Sequence, residues 1–153
     1  MPAETNRLHG TCVALGRHAA LLRGPSGSGK SDLALRFLFL ARRGPVAQDA
    51  PSLVADDQVL VRLKDGRVVA DPPESISGQM EVRGIGIVGT RPVTGAELVL
   101  VVDLVPAADV ERLPEEGATA DILGVKLPLV RLAPFENSAP IKLALAIARA
   151  RRT

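Results

Sequence analysis

The chain has 153 residues, of which 46% are hydrophobic, and this is the size and composition of one globular domain spanning residues 1–153. Its net charge is +2, because 19 basic side chains nearly balance 17 acidic ones, and this balance gives no support to a nucleic-acid-binding function. Cys12 is the only cysteine, which excludes an intramolecular disulfide, and the lack of a signal peptide or long apolar segment predicts a cytoplasmic protein.

Two apolar stretches near the start of the chain predict a β-hairpin. They are His9–Leu15 and Ala19–Arg23, and the Gly-Arg pair at residues 16–17 can form the turn between them. His9 could serve as a switch or as a phosphate contact, but a single histidine in a strand is more often structural than functional. The second strand of the hairpin leads directly into the most informative segment of the chain.

That segment, residues 24–31, reads GPSGSGKS and matches the phosphate-binding pattern G-x-x-x-x-G-K-[ST] in full. A helix is predicted over Asp32–Leu40 and should end near residues 42–45, because Gly-Pro cannot continue it. Glycines let backbone N–H groups approach phosphate, the lysine suits the β/γ-phosphates, and the serine hydroxyl suits Mg²⁺. The predicted nucleotide-binding residues are Gly24, Pro25, Ser26, Gly27, Ser28, Gly29, Lys30 and Ser31.

The chain has few aromatic side chains, since it contains three phenylalanines and neither tyrosine nor tryptophan. Few rings are therefore available to stack on a base. We expect a bound nucleotide to be held mainly by its phosphates, with loose selectivity for the base.

Aspartates follow two predicted buried strands. Asp56 and Asp57 follow Ser52–Ala55, and Asp103 follows Leu98–Val102. Phosphoryl transfer needs a carboxylate that orients or deprotonates the acceptor, and either position fits this role. Successive strand side chains point to opposite faces, so the adjacent aspartates would have different roles. A solvated turn at the aspartate pair and a structural role for Asp103 are alternatives that the pattern leaves open.

The remaining elements follow from similar patterns. The Lys-Asp-Gly at residues 64–66 is typical of a hairpin turn, and residues 106–120 predict a polar surface loop. Glu81 and Arg83 share one face of a short strand, either as a metal ligand beside a guanidinium or as an ordinary surface ion pair. The other predicted strands are Gln58–Leu63, Arg67–Ala70, Gln79–Val82 and Val125–Leu132, and the final helix is Ala139–Ala150. Together they predict an α/β fold with a central, mostly buried β-sheet, an N-terminal hairpin and flanking helices.

Four stretches of the chain, in this order, resemble the HPr kinase/phosphorylase family. They are His9-Gly10, the loop at residues 24–31, LVADDQV at residues 53–59 and MEVRGIGIVG at residues 80–89. The resemblance covers most of the chain and corresponds to the catalytic C-terminal domain of longer members, so by this resemblance we expect a short form. It implies a P-loop-containing kinase domain that uses ATP and Mg²⁺ to phosphorylate a serine of the phosphocarrier protein HPr. It also implies a homo-oligomer, specifically a hexamer, and dephosphorylation by phosphorolysis, which consumes inorganic phosphate and releases pyrophosphate.

The resemblance implies roles for individual residues. Asp57 would accept the proton of the serine hydroxyl during phosphorylation and donate a proton in the reverse reaction. Asp56 would support Asp57 or the metal. Lys30 would bind the nucleotide phosphates, while Ser31 and Glu81 would hold Mg²⁺.

Three further residues gain a functional interpretation from the resemblance. His9 matches the family's histidine ahead of the loop, and Arg83 belongs to its Glu-x-Arg-Gly signature. Arg112 resembles an arginine of the family's Asp-Arg-Leu segment, although Pro114 stands where a glycine usually follows. The catalytic candidates are therefore His9, Lys30, Asp56, Asp57, Arg83 and Arg112.

The sequence departs from the family before the last helix. Residues 133–137 read APFEN where the family has a Pro-Gly-Arg-Asn type of stretch linked to dephosphorylation. Glu136 would repel an anion that an arginine would attract, so we expect kinase activity ahead of phosphorylase activity. One alternative is a small-molecule or nucleotide kinase, which would need an arginine-rich lid, whereas Arg112 is the only arginine in residues 106–120. The other is a nucleotide-sensing regulator with little transfer activity.

Overall fold

The computed structural model describes residues 5–40 and 49–151, and this part of the chain contains eleven strands and two α-helices. The strands are β1 Asn6–His9, β2 Thr11–Leu15, β3 His18–Arg23, β4 Pro51–Ala55, β5 Gln58–Lys64, β6 Arg67–Asp71, β7 Gln79–Val82, β8 Gly86–Gly89, β9 Ala96–Leu104, β10 Thr119–Ile122 and β11 Val125–Leu132. The helices are α1 Lys30–Leu38 and α2 Ala139–Ala150. With 9 and 12 residues, the two described helices fall short of a membrane span.

Nine of the described strands form one mixed sheet with β9 near its centre. The strand order is β1-β5-β6-β9-β3-β2-β4, and β11, which carries β10, also pairs with β9. β6 pairs with the start of β9, whereas β11 pairs with its end. β9 runs parallel to β3 and β11, and the other pairs are antiparallel. β7 and β8 form a separate two-stranded hairpin.

The core lies on both faces of β2 and β3. On one face, Leu33 and Phe37 of α1 and Leu143 and Ile147 of α2 pack against the sheet. On the other face, apolar side chains from the strands themselves form a second buried cluster. The predicted α/β fold with a buried central sheet and an N-terminal hairpin, formed by β2 and β3, is therefore confirmed. Both helices flank the same face of the sheet.

The sheet bends at one corner, where β1 passes into β2 and β4 passes into β5. Gly10 and Asp57 meet there, because the backbone N–H of Gly10 donates to the carbonyl oxygen of Asp57 at 2.9 Å. A Cβ at Gly10 would lie 2.8 Å from the carbonyl oxygen of Leu22, so only glycine fits. Asp57 has a φ of 69°, a left-handed conformation that aspartate tolerates better than most residues. The corner therefore depends on the residue type at both positions.

The structure corrects the limits of two predicted elements. His9 belongs to β1 rather than to the hairpin, because Gly10 separates it from β2. α1 ends at Leu38, and the predicted end near residues 42–45 lies outside the described residues. β8 and β10 have no counterpart among the predicted elements, because each has only four residues and lies in a stretch rich in glycine or polar residues.

Candidate active site

The phosphate-binding loop connects β3 to α1, as its motif predicts. Gly29 immediately precedes α1 and has a φ of 98°, which glycine adopts without strain. The Lys30 side chain is buried, and its ammonium donates to the carbonyl oxygens of Gly24 at 2.6 Å and Pro25 at 3.0 Å. The loop thus places a cation beside the free N–H groups at the start of α1. This is the chemistry of a phosphate cradle.

Asp56 lies beside the end of this loop. The Ser31 hydroxyl donates to Asp56 Oδ1 at 2.7 Å, although the two residues are 25 positions apart. Thr11, which is fully buried at the start of β2, donates its hydroxyl to the same oxygen at 3.2 Å. A carboxylate and a hydroxyl next to a phosphate cradle are the hard oxygen ligands that suit Mg²⁺.

Asp57 faces solvent next to His9. His9 Nε2 lies 3.1 Å from Asp57 Oδ1, and both side chains are more than half exposed. The backbone N–H of Asp57 donates to the Thr11 hydroxyl at 3.3 Å, so Thr11 supports both aspartates. An exposed carboxylate oriented by an imidazole is accessible to a second substrate and suits proton transfer.

Three candidates lie outside this cluster. Glu81 and Arg83 belong to the exposed β7–β8 hairpin, whose Met80 and Val82 pack against the core and place Glu81 on the opposite face of the strand. Arg112 lies in the exposed loop before β10. Within the described residues none of the three has a side-chain hydrogen bond or ion pair, and no group of three or more His, Cys, Asp or Glu could hold a metal. Their roles stay predictions.

Asp103, the alternative acid, is held in an ion pair at the end of β9. Arg23 donates to its two carboxylate oxygens at 2.8 and 3.1 Å, across the parallel pairing of β3 with β9. On the other side of β9, Arg131 of β11 lies opposite Asp103. A cleft of about 580 Å³ opens between Asp103, Arg131 and Glu111. This geometry favours the structural interpretation of Asp103 and leaves Asp56 and Asp57 as the acids beside the phosphate loop.

The segment that departs from the family pattern also contacts the loop. The Arg36 guanidinium, in α1, donates to the carbonyl oxygens of Pro134 and, at 3.1 Å, of Glu136. The Phe135 ring lies against Gly29. Sequence reasoning did not find Thr11 or Arg36, because a threonine in an apolar strand and an arginine in a helix carry no local signal of these distant contacts.

Comparison with known proteins adds a family to this geometry. Residues 2–149 match the family model described as HPr Serine kinase C-terminal domain. The HPr kinase/phosphorylase of Lactobacillus acidophilus is 35% identical over 157 residues, which cover 95% of this chain and 46% of that protein. The protein of the same name from Clostridium botulinum strain Eklund 17B is 32% identical, with coverages of 95% and 49%. The chain therefore spans about half the length of these relatives.

A solved structure has the same fold. The Hpr(Ser) kinase/phosphatase from Coxiella burnetii matches with a TM-score of 0.73 and 22% sequence identity. The match covers 96% of this chain and 90% of that one. At this level of identity the similarity shows a shared architecture.

Proposed function

Since the chain belongs to the HPr serine kinase C-terminal domain family, we propose that it transfers the γ-phosphoryl group of ATP to a serine of an HPr-like protein in the cytoplasm. The observation that carries this proposal is the position of Asp56 and Asp57 at the end of the phosphate loop. Asp56 is hydrogen-bonded to the last residue of the loop, Ser31, and Asp57 is hydrogen-bonded to His9. The proposal thus rests on family membership and on one cluster of side chains.

The proposed nucleotide site consists of the loop and its neighbours. Backbone N–H groups of the loop and the Lys30 ammonium would hold the phosphates, and Ser31 and Asp56 would hold Mg²⁺. The two oxygens fit this ion, because Mg²⁺ in such sites takes one or two protein oxygens together with phosphates and waters. Bound there, Mg²⁺ would supply positive charge to the β- and γ-phosphate oxygens.

Asp57 is the proposed proton acceptor. The serine oxygen of the protein substrate forms a bond to the γ-phosphorus, the bond from that phosphorus to the β-phosphate oxygen breaks, and ADP leaves. The serine hydroxyl proton passes to the Asp57 carboxylate, which His9 orients from 3.1 Å. In phosphorolysis, inorganic phosphate would take the phosphoryl group, pyrophosphate would form, and Asp57 would return a proton to the serine oxygen. Glu136 in place of an arginine argues for a slower reverse reaction.

The family resemblance supplies the remaining proposals. Glu81 would act as a metal ligand and Arg83 as a neutralising cation in a state where the β7–β8 hairpin approaches the loop. Among the described strands, β7 and β8 pair only with each other. Arg112 would assist the transfer as a further cation. A hexameric assembly is also proposed, and exposed apolar side chains such as Phe39 and Ile85 give it a surface to cover.

The direct test mixes the chain with HPr, ATP and Mg²⁺ and identifies the modified residue by mass spectrometry. Asp57→Asn should abolish transfer without unfolding the chain, because asparagine also tolerates the φ of 69°. Asp103→Asn is the matched control, an aspartate at a strand end held by Arg23, and it should retain transfer. Retention in Asp57→Asn with loss in Asp103→Asn would show that the base is wrongly assigned.

Three parallel measurements separate the rival functions. A panel of nucleosides replaces HPr in the first, and phosphate transfer to a nucleoside would favour a small-molecule kinase. Tight ATP binding without transfer to any acceptor would favour a nucleotide-sensing regulator. Incubation of phosphorylated HPr with inorganic phosphate measures the reverse reaction, which we expect to be slower than phosphorylation.

A further inference from the structure

Phe135 lies against the phosphate loop while most of its ring is exposed. A Cβ built on Gly29 would come 3.0 Å from Cζ and 3.1 Å from Cε1 of this ring, so one edge of the ring touches the loop. The side chain is nevertheless 69% exposed. An apolar ring of this size that stays open to solvent beside a ligand cradle offers a free face to the ligand.

The backbone on both sides of Phe135 is fixed to α1. The Arg36 guanidinium donates to the carbonyl oxygens of Pro134 and Glu136, the residues immediately before and after the ring. The Glu136 carboxylate is in turn 3.3 Å from the Lys142 ammonium of α2. Since α1 begins at the phosphate loop, these hydrogen bonds connect the segment that bears the ring to the helix that follows the loop. A ligand that binds the loop therefore meets a ring already in place.

No other exposed phenylalanine ring in the described residues is near the loop. Phe37 is fully buried in the core. Phe39 is 83% exposed but follows the end of α1, ten residues after Gly29, which is about 15 Å along the helix. Phe135 is thus the one phenylalanine of this part of the chain that combines exposure with contact to the loop.

We propose that Phe135 stacks on the base of the nucleotide whose phosphates occupy the loop at residues 24–31. This inference deepens the proposed function and depends on its claim that ATP binds there. The five-residue segment at 133–137, which lacks the family's arginine, is then the base-binding segment of this chain. Stacking on a ring accepts any purine, so adenine and guanine bind with similar strength. The nucleotide is held at both its ends, and not mainly by its phosphates as composition predicts.

The test compares ATP with a ligand that has phosphates but no base. Affinities of the full chain for Mg²⁺–ATP and Mg²⁺–tripolyphosphate are measured by calorimetry for the wild type, Phe135→Ala, Phe135→Leu and the control Phe39→Ala. Loss of one base–ring contact should weaken ATP binding about tenfold in Phe135→Ala and leave tripolyphosphate binding unchanged. Phe39→Ala should change neither. An equal loss for both ligands means that the ring only supports the loop and overturns the proposal, as does unchanged ATP binding in Phe135→Ala.

A second variant reports contact with the base directly. Because the chain has no tryptophan, Phe135→Trp introduces a single indole fluorophore and keeps an aromatic ring at this position. ATP and GTP should quench its emission, whereas tripolyphosphate should not, and Phe39→Trp should respond to none of them. Equal responses to ATP and tripolyphosphate, or no response to ATP, would contradict stacking.

These binding measurements use no protein acceptor, so they separate the two proposals. ATP binding that depends on Phe135, without transfer to HPr, would remove the proposed kinase function and leave the stacking role standing. Transfer to HPr with ATP binding that is independent of Phe135 would do the reverse.

Discussion

Thr11→Val removes one hydroxyl group and leaves the shape of a fully buried side chain almost unchanged. The hydroxyl donates to Asp56 Oδ1 at 3.2 Å and accepts from the backbone N–H of Asp57 at 3.3 Å. Within residues 5–40 and 49–151, Thr11 is the one residue whose side chain is hydrogen-bonded to both aspartates. The substitution therefore loosens the proposed metal ligand and the proposed base together.

The expected loss of stability follows from these two hydrogen bonds. Removing the partner of a buried polar group costs about 1–3 kcal/mol, and both distances are slightly longer than usual, so for the two hydrogen bonds together we expect about 2 kcal/mol. For a chain of this size that is a fall in Tm of roughly 4–8 °C. Thr11→Ser is the matched control, because it keeps the hydroxyl and removes one buried methyl group, which costs about 1 kcal/mol.

Two assays separate stability from positioning. Urea unfolding gives the free energy of unfolding. The positioning of the aspartates is tested by the initial rate of ATP-dependent phosphorylation of HPr, measured at a temperature where all variants are folded. We expect Thr11→Val to lower the rate about tenfold, equivalent to about 1.4 kcal/mol of activation free energy, while Thr11→Ser stays close to wild type. If Thr11→Ser loses as much activity as Thr11→Val, the shape of the side chain and not its hydroxyl supports the aspartates, and the reasoning fails.

Four further experiments have definite expected outcomes. Gly29→Ala should destabilise the chain and weaken ATP binding more than Gly27→Ala does. Both glycines have a positive φ, but only at Gly29 would the new methyl group meet a ring, that of Phe135. Equal effects of the two substitutions in urea unfolding and ATP titration would contradict this. Arg36→Met frees the carbonyls on both sides of Phe135, so proteolysis near residues 133–137 should accelerate. An unchanged cleavage rate would show that the Arg36 hydrogen bonds do not hold this segment. Burial raises the pKa of the Cys12 thiol to about 12. Ellman's reagent at pH 8 should therefore modify this thiol only as fast as the chain unfolds. Fast labelling of the native protein would show that Cys12 is not buried. The unfolded thiol loses its proton near pH 9 and the native one does not, so the free energy of unfolding should fall as the pH rises above about 9, less so in Cys12→Ala.

Local patterns were sufficient to predict the elements that flank the phosphate loop. The glycine motif, the apolar strand before it and the periodic helix after it are each specified within about ten residues, and β3 and α1 lie where these signals place them. The acid pair after β4 was found for the same reason, since a run of apolar residues that stops at two aspartates marks a strand end.

Contacts between distant parts of the chain could not be predicted in this way. Thr11 is 45 positions from Asp56, and it meets the aspartates because β2 pairs with β4 and places Cys12 opposite Ala55. Arg36 is about 100 positions from the carbonyls it binds. Such pairs depend on strand order and on the path of β11 into α2, which composition and periodicity do not specify.

The position of β3 between β2 and β9 has a consequence for synthesis on the ribosome. Residues 9–58 contain the histidine, the phosphate loop and both aspartates, so nearly all of the proposed site residues are made before β9. The strand that feeds the loop, however, gains its second neighbour only when residues 96–104 have left the exit tunnel. A nascent chain that stops before β9 exposes an apolar, unpaired strand edge, which is a template for pairing with other chains. The nascent chain thus contains the proposed site residues well before β9 can pair with β3, and the strand edge of β3 stays open while β4 to β9 are translated.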